Sequence, residues 1–304
     1  MTSVILPLSA LTGELSGTRY GVCAHDAGAA NQILHWVIAG DLQPAFYSFT
    51  GPALALARAS LPPFSNLEIS ELISECDALI SGTGWGEFEY QAMLQASSAA
   101  LAVFAVFDHW VNYGVRLKRG GKTLPVKGIL VADRYAADRV CADFSDVPCY
   151  QLPGRYLESQ AKEIGECSDS SSALFLMEPV REKWPGTELA GEFLAFDYFM
   201  EHLRSIAPDI TRVVVRPHPS DAQGKYAHLQ STSDEEECQV HIQNTDAASL
   251  ADAIGGCALV VGLQSYAMAV ALTAGKRVLS ALPPEAPAAV LPFEEIEYIR
   301  GYAQ

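Results

Sequence analysis

Short apolar, β-type runs alternate along this chain with longer segments of helical period, the pattern of βαβ units and parallel sheets. Tyr20–Ala24 leads through His25-Asp26-Ala27-Gly28 into a predicted helix over Asn31–Ala39. Pro44–Phe49 precedes a helix at Ala53–Ala59, and Ala78–Ser81 runs into Gly82-Thr83-Gly84-Trp85-Gly86 before a helix at Glu87–Ala96. Leu101–Phe107 is the most hydrophobic strand candidate and finishes at Asp108-His109-Trp110. Gly128–Ala132 and Val147–Leu152 close this first set, with helix Tyr135–Phe144 between them.

The pattern changes after Pro153-Gly154. Arg155–Ser172 is polar without a strand signal and reads as a linker or connecting helix. Alternation then restarts with strand Ala173–Met177, helix Gly191–Ile206 and strands Arg212–Arg216 and Gln239–Ile242. Helix Ala248–Ile254, strand Leu259–Val261, helix Ser265–Thr273 and strand Arg277–Ser280 complete it. The expectation is an α/β protein of two doubly wound, Rossmann-like domains, 1–154 and 155–304, facing each other across a cleft. Ser231–Glu237 is short and acidic, a solvated loop.

Composition narrows the function classes. With 304 residues, 49% of them hydrophobic and 18% charged, the chain is an ordinary globular one, long enough to fold without disulfide or metal staples. The net charge is −16, split as −5 over 1–154 and −11 over 155–304, which argues against a broadly basic nucleic-acid binder. Seven scattered cysteines lack a C-x-x-C pair, so neither a zinc site nor a disulfide framework is indicated, and reduced cytosolic thiols are expected. Met1-Thr2-Ser3-Val4 does not open a secretory signal, and no stretch reaches the roughly 20 apolar residues of a membrane span. A soluble, cytoplasmic protein is expected.

In open parallel sheets ligands bind outside the carboxyl ends of the strands, so the residues just after each strand carry the candidate chemistry. In the second half these are Met177-Glu178-Pro179, Arg216-Pro217-His218-Pro219 and Gly262-Leu263-Gln264-Ser265. Two prolines make a rigid loop from which Arg216 and His218 project, a pair of donors suited to a phosphate. Ser265 and the backbone amides at the following helix N-terminus make a phosphate cradle; the alternative is a simple helix cap.

In the first half Asp26 lies in a strand-to-helix turn and Asp108 follows the most buried strand. Either carboxylate could act as a general base; Asp26 could equally be a helix N-cap, and Asp108 a structural group. The Gly82–Gly86 loop is no dinucleotide fingerprint but would let a substrate approach the backbone. Arg116–Lys127 holds five basic residues (Arg116, Lys118, Arg119, Lys122, Lys127), no acidic one, and Gly120-Gly121. It reads as a mobile basic loop. The sharper reading is a clamp for an acidic acceptor or an anionic membrane surface.

Taken together, Arg216-Pro217-His218-Pro219, the turn Gly262-Leu263-Gln264-Ser265-Tyr266 and the paired Rossmann-like halves resemble the GT-B glycosyltransferases. They are most similar to the bacterial surface-polysaccharide enzymes with an "HP" motif, polysialyltransferase-like and Kdo-transferase-like. The resemblance implies donor phosphate at His218 and a donor-facing Ser265; Glu178, Arg216, Gly262, Gln264 and Tyr266, at the same strand ends, complete the candidate donor site. The first domain is then expected to bind the acceptor, with His25, Gly28, Trp85, His109, Arg116, Lys118 and Arg119, read from its strand ends and basic segment, as the candidate contacts. The family's acidic-acidic-Gly base motif is matched only by His25-Asp26-Ala27-Gly28, which keeps one acid and inserts an alanine; Asp108 stays a rival. The expected activity is an inverting, metal-independent, cofactor-free glycosyl transfer. The donor would be a nucleotide sugar, by preference CMP-linked and acidic, and the acceptor a glycan, lipid-linked group or protein. A nucleotide-sugar 2-epimerase and a non-catalytic nucleotide-sugar-binding module are the alternatives.

Overall fold

The computed structural model of the chain describes residues 4–180, 183–233, 237–245 and 248–302. Residues 1–3 and residues 234–236 of the acidic stretch Ser231–Glu237 lie outside the described residues. The chain divides into two compact units, Met1–Tyr156 and Leu157–Gln304.

The first unit runs β1 (Ile5–Pro7), α1 (Leu8–Glu14), β2 (Tyr20–Ala24), α2 (Ala27–Ile38), β3 (Phe46–Phe49), α3 (Gly51–Ser60), α4 (Ile69–Glu75), β4 (Ala78–Ser81) and α5 (Glu87–Ser98). It continues β5 (Ala102–Val106), α6 (Tyr113–Arg116), β6 (Lys118–Arg119), β7 (Lys122–Thr123), β8 (Gly128–Val131), α7 (Arg134–Asp143) and β9 (Cys149–Gln151). Seven strands form one sheet in the order β1-β9-β8-β5-β4-β2-β3, every pair parallel. Strands β2, β4 and β8 are buried at every residue. Their unbroken apolar runs are what a sheet covered on both faces requires. Each side chain such as Ile80 or Leu130 then contributes about 1.5–3 kcal/mol by leaving water. The chain winds outward from β2 to β3, then reverses and builds β4, β5, β8 and β9 on the other side, so the topological switch lies between β2 and β4. Cys23 pairs level with Ser81, which sets the turns after those two strands side by side.

The second unit follows α8 (Arg155–Lys162) with β10 (Asp169–Leu176), α9 (Gly191–Ile206), β11 (Arg212–Arg216), β12 (Gln239–Ile242), α10 (Leu250–Gly255), β13 (Cys257–Gly262), α11 (Tyr266–Thr273), β14 (Arg277–Ser280) and β15 (Glu297–Tyr298). Its parallel six-stranded sheet has the order β12-β11-β10-β13-β14-β15, with the switch between β10 and β13. Phe175, Phe196 and Phe199 pack together beneath it.

Three readings of the sequence change. Strand β10 begins at Asp169, inside the stretch read as a linker; its first residues are Asp and Ser, and its register against β13 shifts between Asp169 and Ala173. Edge strand β1 escapes a hydrophobic search because it is three residues long and Ile5 is half exposed. The basic segment is ordered as α6 and a β6–β7 hairpin whose turn is Gly120-Gly121, both at positive φ. Its five basic groups disperse: Arg116 is buried, Arg119 lies over the Tyr90 ring on α5, and Lys127 pairs with Glu14 just before β8, at the amino edge of the sheet. Lys118 and Lys122 stay exposed on the hairpin. Among the described residues no helix is long and apolar enough to cross a membrane.

Candidate functional site

At the switch point of the first unit two loops are tied by carboxylates. Asp26 occupies the N-cap position of α2, yet its side chain makes no capping bond. Asp26 Oδ2 instead accepts the Trp85 amide from the neighbouring loop at 3.1 Å. Beneath them, Glu89 in the first turn of α5 accepts the amides of His25 (2.6 Å) and Asp26 (3.1 Å) on one oxygen, Oε1. Glu89 is fully buried, and its Oε2 has no partner. The fit explains the glycine at 84: a Cβ there would strike Asp26 Oδ2 and stand 3.0 Å from Glu89 Oε1. His25 Nδ1 lies 3.0 Å from the Thr50 hydroxyl. Trp85, by contrast, is 59% exposed.

Asp108, after β5, is held differently. Arg116 Nη1 donates to Asp108 Oδ1 at 2.9 Å, with side-chain exposures of 7% and 16%. The same guanidinium donates to the Thr83 carbonyl at 3.2 Å and to the Val111 carbonyl, and lies 5.9 Å from the ring centres of Trp85 and Phe107. Asp108 Oδ2 packs on Gly28, where a Cβ would overlap it; no other residue fits there without moving the carboxylate. Arg116 is thus a counter-ion inside the unit. His109 accepts the Trp110 amide on Nδ1 at 3.2 Å, and burial lowers its pKa against the pull of Asp108. Arg119 leans toward Glu87, 3.8 Å away. Of the residues expected near the acceptor, His25, Gly28, Trp85, His109 and Arg116 gather at this edge with Asp26 and Asp108.

In the second unit the switch is closed in the same manner: Glu178 Oε2, after β10, accepts the Gln264 amide after β13 at 2.9 Å. Burial raises the Glu178 pKa, and the Gln264 bond opposes it. Gln264 Oε1 in turn accepts the Val290 amide. Ser265 takes the N-cap position of α11 without capping it, and its Oγ is buried with no partner. Gly262 packs on Met268, and Tyr266 opens α11.

One strand away, Arg216 is largely engaged, its Nη1 donating to Gln243 Oε1 (2.6 Å) and to the Ala248 carbonyl (3.1 Å). Burial lowers its pKa. His218 is exposed, and its Nδ1 accepts the Ser220 amide at 3.1 Å. The same nitrogen lies 2.8 Å from the Ser220 hydroxyl, so Nδ1 is engaged within the loop and Nε2 is the ring nitrogen left for a ligand. Asp221 fastens this loop: it accepts the His218 amide (2.9 Å), the Lys225 ammonium (2.8 Å) and the Tyr226 hydroxyl (2.9 Å). Lys225 also reaches buried Glu192 at 2.7 Å. His218, Asp221, Lys225 and Asn244 border a cavity of about 670 Å³. Among the described residues no cluster of three or more His, Cys, Asp or Glu side chains could hold a metal ion.

The sequence reading missed Glu89, Glu192 and the Asp221–Lys225 pair. A signal for the first was present. Glu89 is the acidic member of the buried stripe Glu89, Ala92, Met93, Ala96 on α5, as Glu192 is on α9.

No protein-family model and no curated protein matches the chain. Solved structures do. A Listeria monocytogenes protein assigned as a UDP-N-acetylglucosamine 2-epimerase overlaps with a TM-score of 0.53 at 15% identity, covering 86% of this chain and 79% of its own. UDP-GlcNAc 2-epimerase from Neisseria meningitidis, bound to UDP-GlcNAc, gives 0.50 at 11% identity, over 86% and 82%. An E. coli heptosyltransferase with ADP-2-deoxy-2-fluoro heptose gives 0.47 at 12%, over 91% and 92%. At these identities the first two likenesses show the fold alone: two Rossmann-like units with parallel sheets, of the GT-B type.

Proposed function

We propose that the protein is a nucleotide-sugar enzyme that moves a sugar from a nucleotide-activated donor to an acceptor hydroxyl, with Asp26 as the base. The observation that carries this is the difference between the two strand-end carboxylates. Asp108 has its charge matched by a buried guanidinium, whereas Asp26 accepts only a backbone amide and borders exposed Trp85. An aromatic face beside an open carboxylate suits a sugar ring and the proton to be removed from it.

In this reading the leaving phosphate is met in the second unit by the His218 ring, by the Ser265 hydroxyl and by the amides opening α11, whose dipole favours an anion. Donors aimed at that phosphate would stabilise the negative charge as it develops. Charge on the phosphate rises as the anomeric carbon–oxygen bond breaks, and the acceptor oxygen forms the new bond while Asp26 takes its proton. A single displacement of this kind inverts the anomeric centre; metal independence and a preference for a CMP-linked acidic donor are what the resemblance of Arg216-Pro217-His218-Pro219 to the "HP" enzymes implies.

A 2-epimerase is the second reading, favoured by the overlaps with the Listeria and Neisseria proteins. The experiment incubates purified protein with CMP-, UDP-, GDP- and ADP-sugars, with and without oligosaccharide acceptors. Nucleotide release that depends on acceptor, with a matching mass gain on the glycan, supports transfer. A new sugar isomer formed from the donor alone supports epimerisation. A protein whose unfolding temperature no nucleotide raises is neither.

A further inference from the structure

Glu89 takes no part in the scheme above, and its surroundings ask for an account. A fully buried carboxyl with one oxygen lacking a partner is costly unless the other oxygen earns it. Here Oε1 gathers two consecutive amides of the β2–α2 turn, His25 and Asp26, across 63 and 64 residues of sequence. Charge-assisted bonds of this kind are about twice as strong as neutral ones. The first turn of α5, where Glu89 lies, adds the positive end of a helix dipole. The loop above it is built to the same plan. Gly82 and Gly84 leave room where a Cβ would meet Ala29 or Asp26, and the chain between them delivers the Trp85 amide to Asp26 Oδ2. Asp26 is therefore fixed twice, by its backbone from Glu89 and by its carboxylate from Trp85.

We propose that Glu89 is a positioning residue: its Oε1 holds the His25–Asp26 turn and thereby sets where the Asp26 carboxylate stands against the acceptor hydroxyl. The proposal rests on the reading of Asp26 as base, and it adds a requirement that reading does not contain. The requirement is two backbone hydrogen bonds to one buried oxygen, with no chemistry at Glu89 itself.

Two variants separate the possibilities. Glu89→Gln keeps an oxygen for both amides and places its NH2 where Oε2 already lacks a partner, so no hydrogen bond is lost. Glu89→Met fills the volume beside Ala92 and Met93 but accepts nothing. Misplacing a catalytic group by about 1 Å costs on the order of 100-fold, so kcat should fall by that factor in Glu89→Met with donor KM nearly unchanged. Glu89→Gln should recover kcat to within about tenfold of the parent, since neutral acceptors bind amides more weakly. Amide hydrogen exchange at His25 and Asp26 should quicken in Glu89→Met and hold in Glu89→Gln, a readout that does not depend on any activity. Parental kcat in Glu89→Met, unchanged exchange in that variant, or a Glu89→Gln protein as inactive as Glu89→Met would each overturn the proposal. Should the parent turn over no nucleotide sugar, the function reading fails while the exchange result still decides the role of Glu89. If Glu89→Met does not fold, Glu89→Gln and Glu89→Ala carry the same contrast.

Discussion

The two sheets reverse direction in the same way, and at each reversal a carboxylate on one loop accepts an amide from the other: Asp26 from Trp85, Glu178 from Gln264. The chemistry around these matching ties differs. In the first unit a second, buried acid lies below the tie, and the neighbouring cation, Arg116, is consumed by Asp108. In the second unit the nearby acids are spent on Lys225 and backbone amides, and what remains are donors, the exposed His218 ring and the buried, unpartnered Ser265 hydroxyl. One topology thus presents an acceptor of protons at one switch point and donors for an anion at the other. The sheet decides where a site stands; the charges beneath the loops decide what it offers.

Breaking the Arg116–Asp108 pair should have the largest effect on the fold. Removing one member of a buried ion pair costs about 3–5 kcal/mol, because the other is left without a counter-ion. Arg116→Met should lower the unfolding temperature of the first unit by roughly 10 °C at about 2–4 °C per kcal/mol for a unit of this size. Adding Asp108→Asn to Arg116→Met should restore part of that loss, measured by calorimetry. If Arg116→Met melted like the parent, the contrast between a spent cation here and free donors in the second unit would collapse.

His218→Ala comes next. If the ring meets charge developing on the leaving phosphate, kcat should fall by about 100-fold with the unfolding temperature unchanged, since the ring is exposed and Asp221 still holds the loop backbone. A drop in stability of matching size with normal kcat would make the ring a structural element of the loop.

The smallest expected effect sharpens the comparison through pH. Burial depresses the His109 pKa in the folded unit, so folding favours the neutral ring. The stability this ring contributes is therefore present above its unfolded value near 6.5 and is lost as pH falls through the lower, folded value. His109→Gln should flatten that part of the stability profile, read by urea titrations from pH 7 to pH 5. An unchanged slope would mean that another group titrates there.

Much of this was legible in the sequence, and the reasons are local. Tyr20–Ala24 and Ala78–Ser81 stand out because a sheet covered on both faces needs unbroken apolar runs, Arg212–Arg216 stands out by its Val213-Val214-Val215 centre, and the residues after them follow by topology. The partners of those residues were not legible. That Arg116 turns inward to Asp108, while Lys127 lies at the other edge of the sheet against Glu14, depends on where α6 and the hairpin return the chain, which the count of basic residues does not encode. Glu89 was within reach, because an acid on an otherwise apolar helical stripe requires a buried partner; Asp221 was not, since its partners His218, Lys225 and Tyr226 all lie in one loop without a periodic pattern.

Two carboxylates at the ends of strands in one sheet, Asp26 and Asp108, have different work. The most direct test is to measure donor turnover by Asp26→Asn and Asp108→Asn side by side, each corrected for its folded fraction. Loss of a general base costs on the order of 100- to 10,000-fold, so Asp26→Asn should be inactive by that factor while folding and binding nucleotide as the parent does. Asp108→Asn should melt earlier and yet, where folded, turn over within about tenfold of the parent, as expected of a group that acts through packing and its ion pair. An active Asp26→Asn beside an inactive, well-folded Asp108→Asn would contradict the account and place the base after β5.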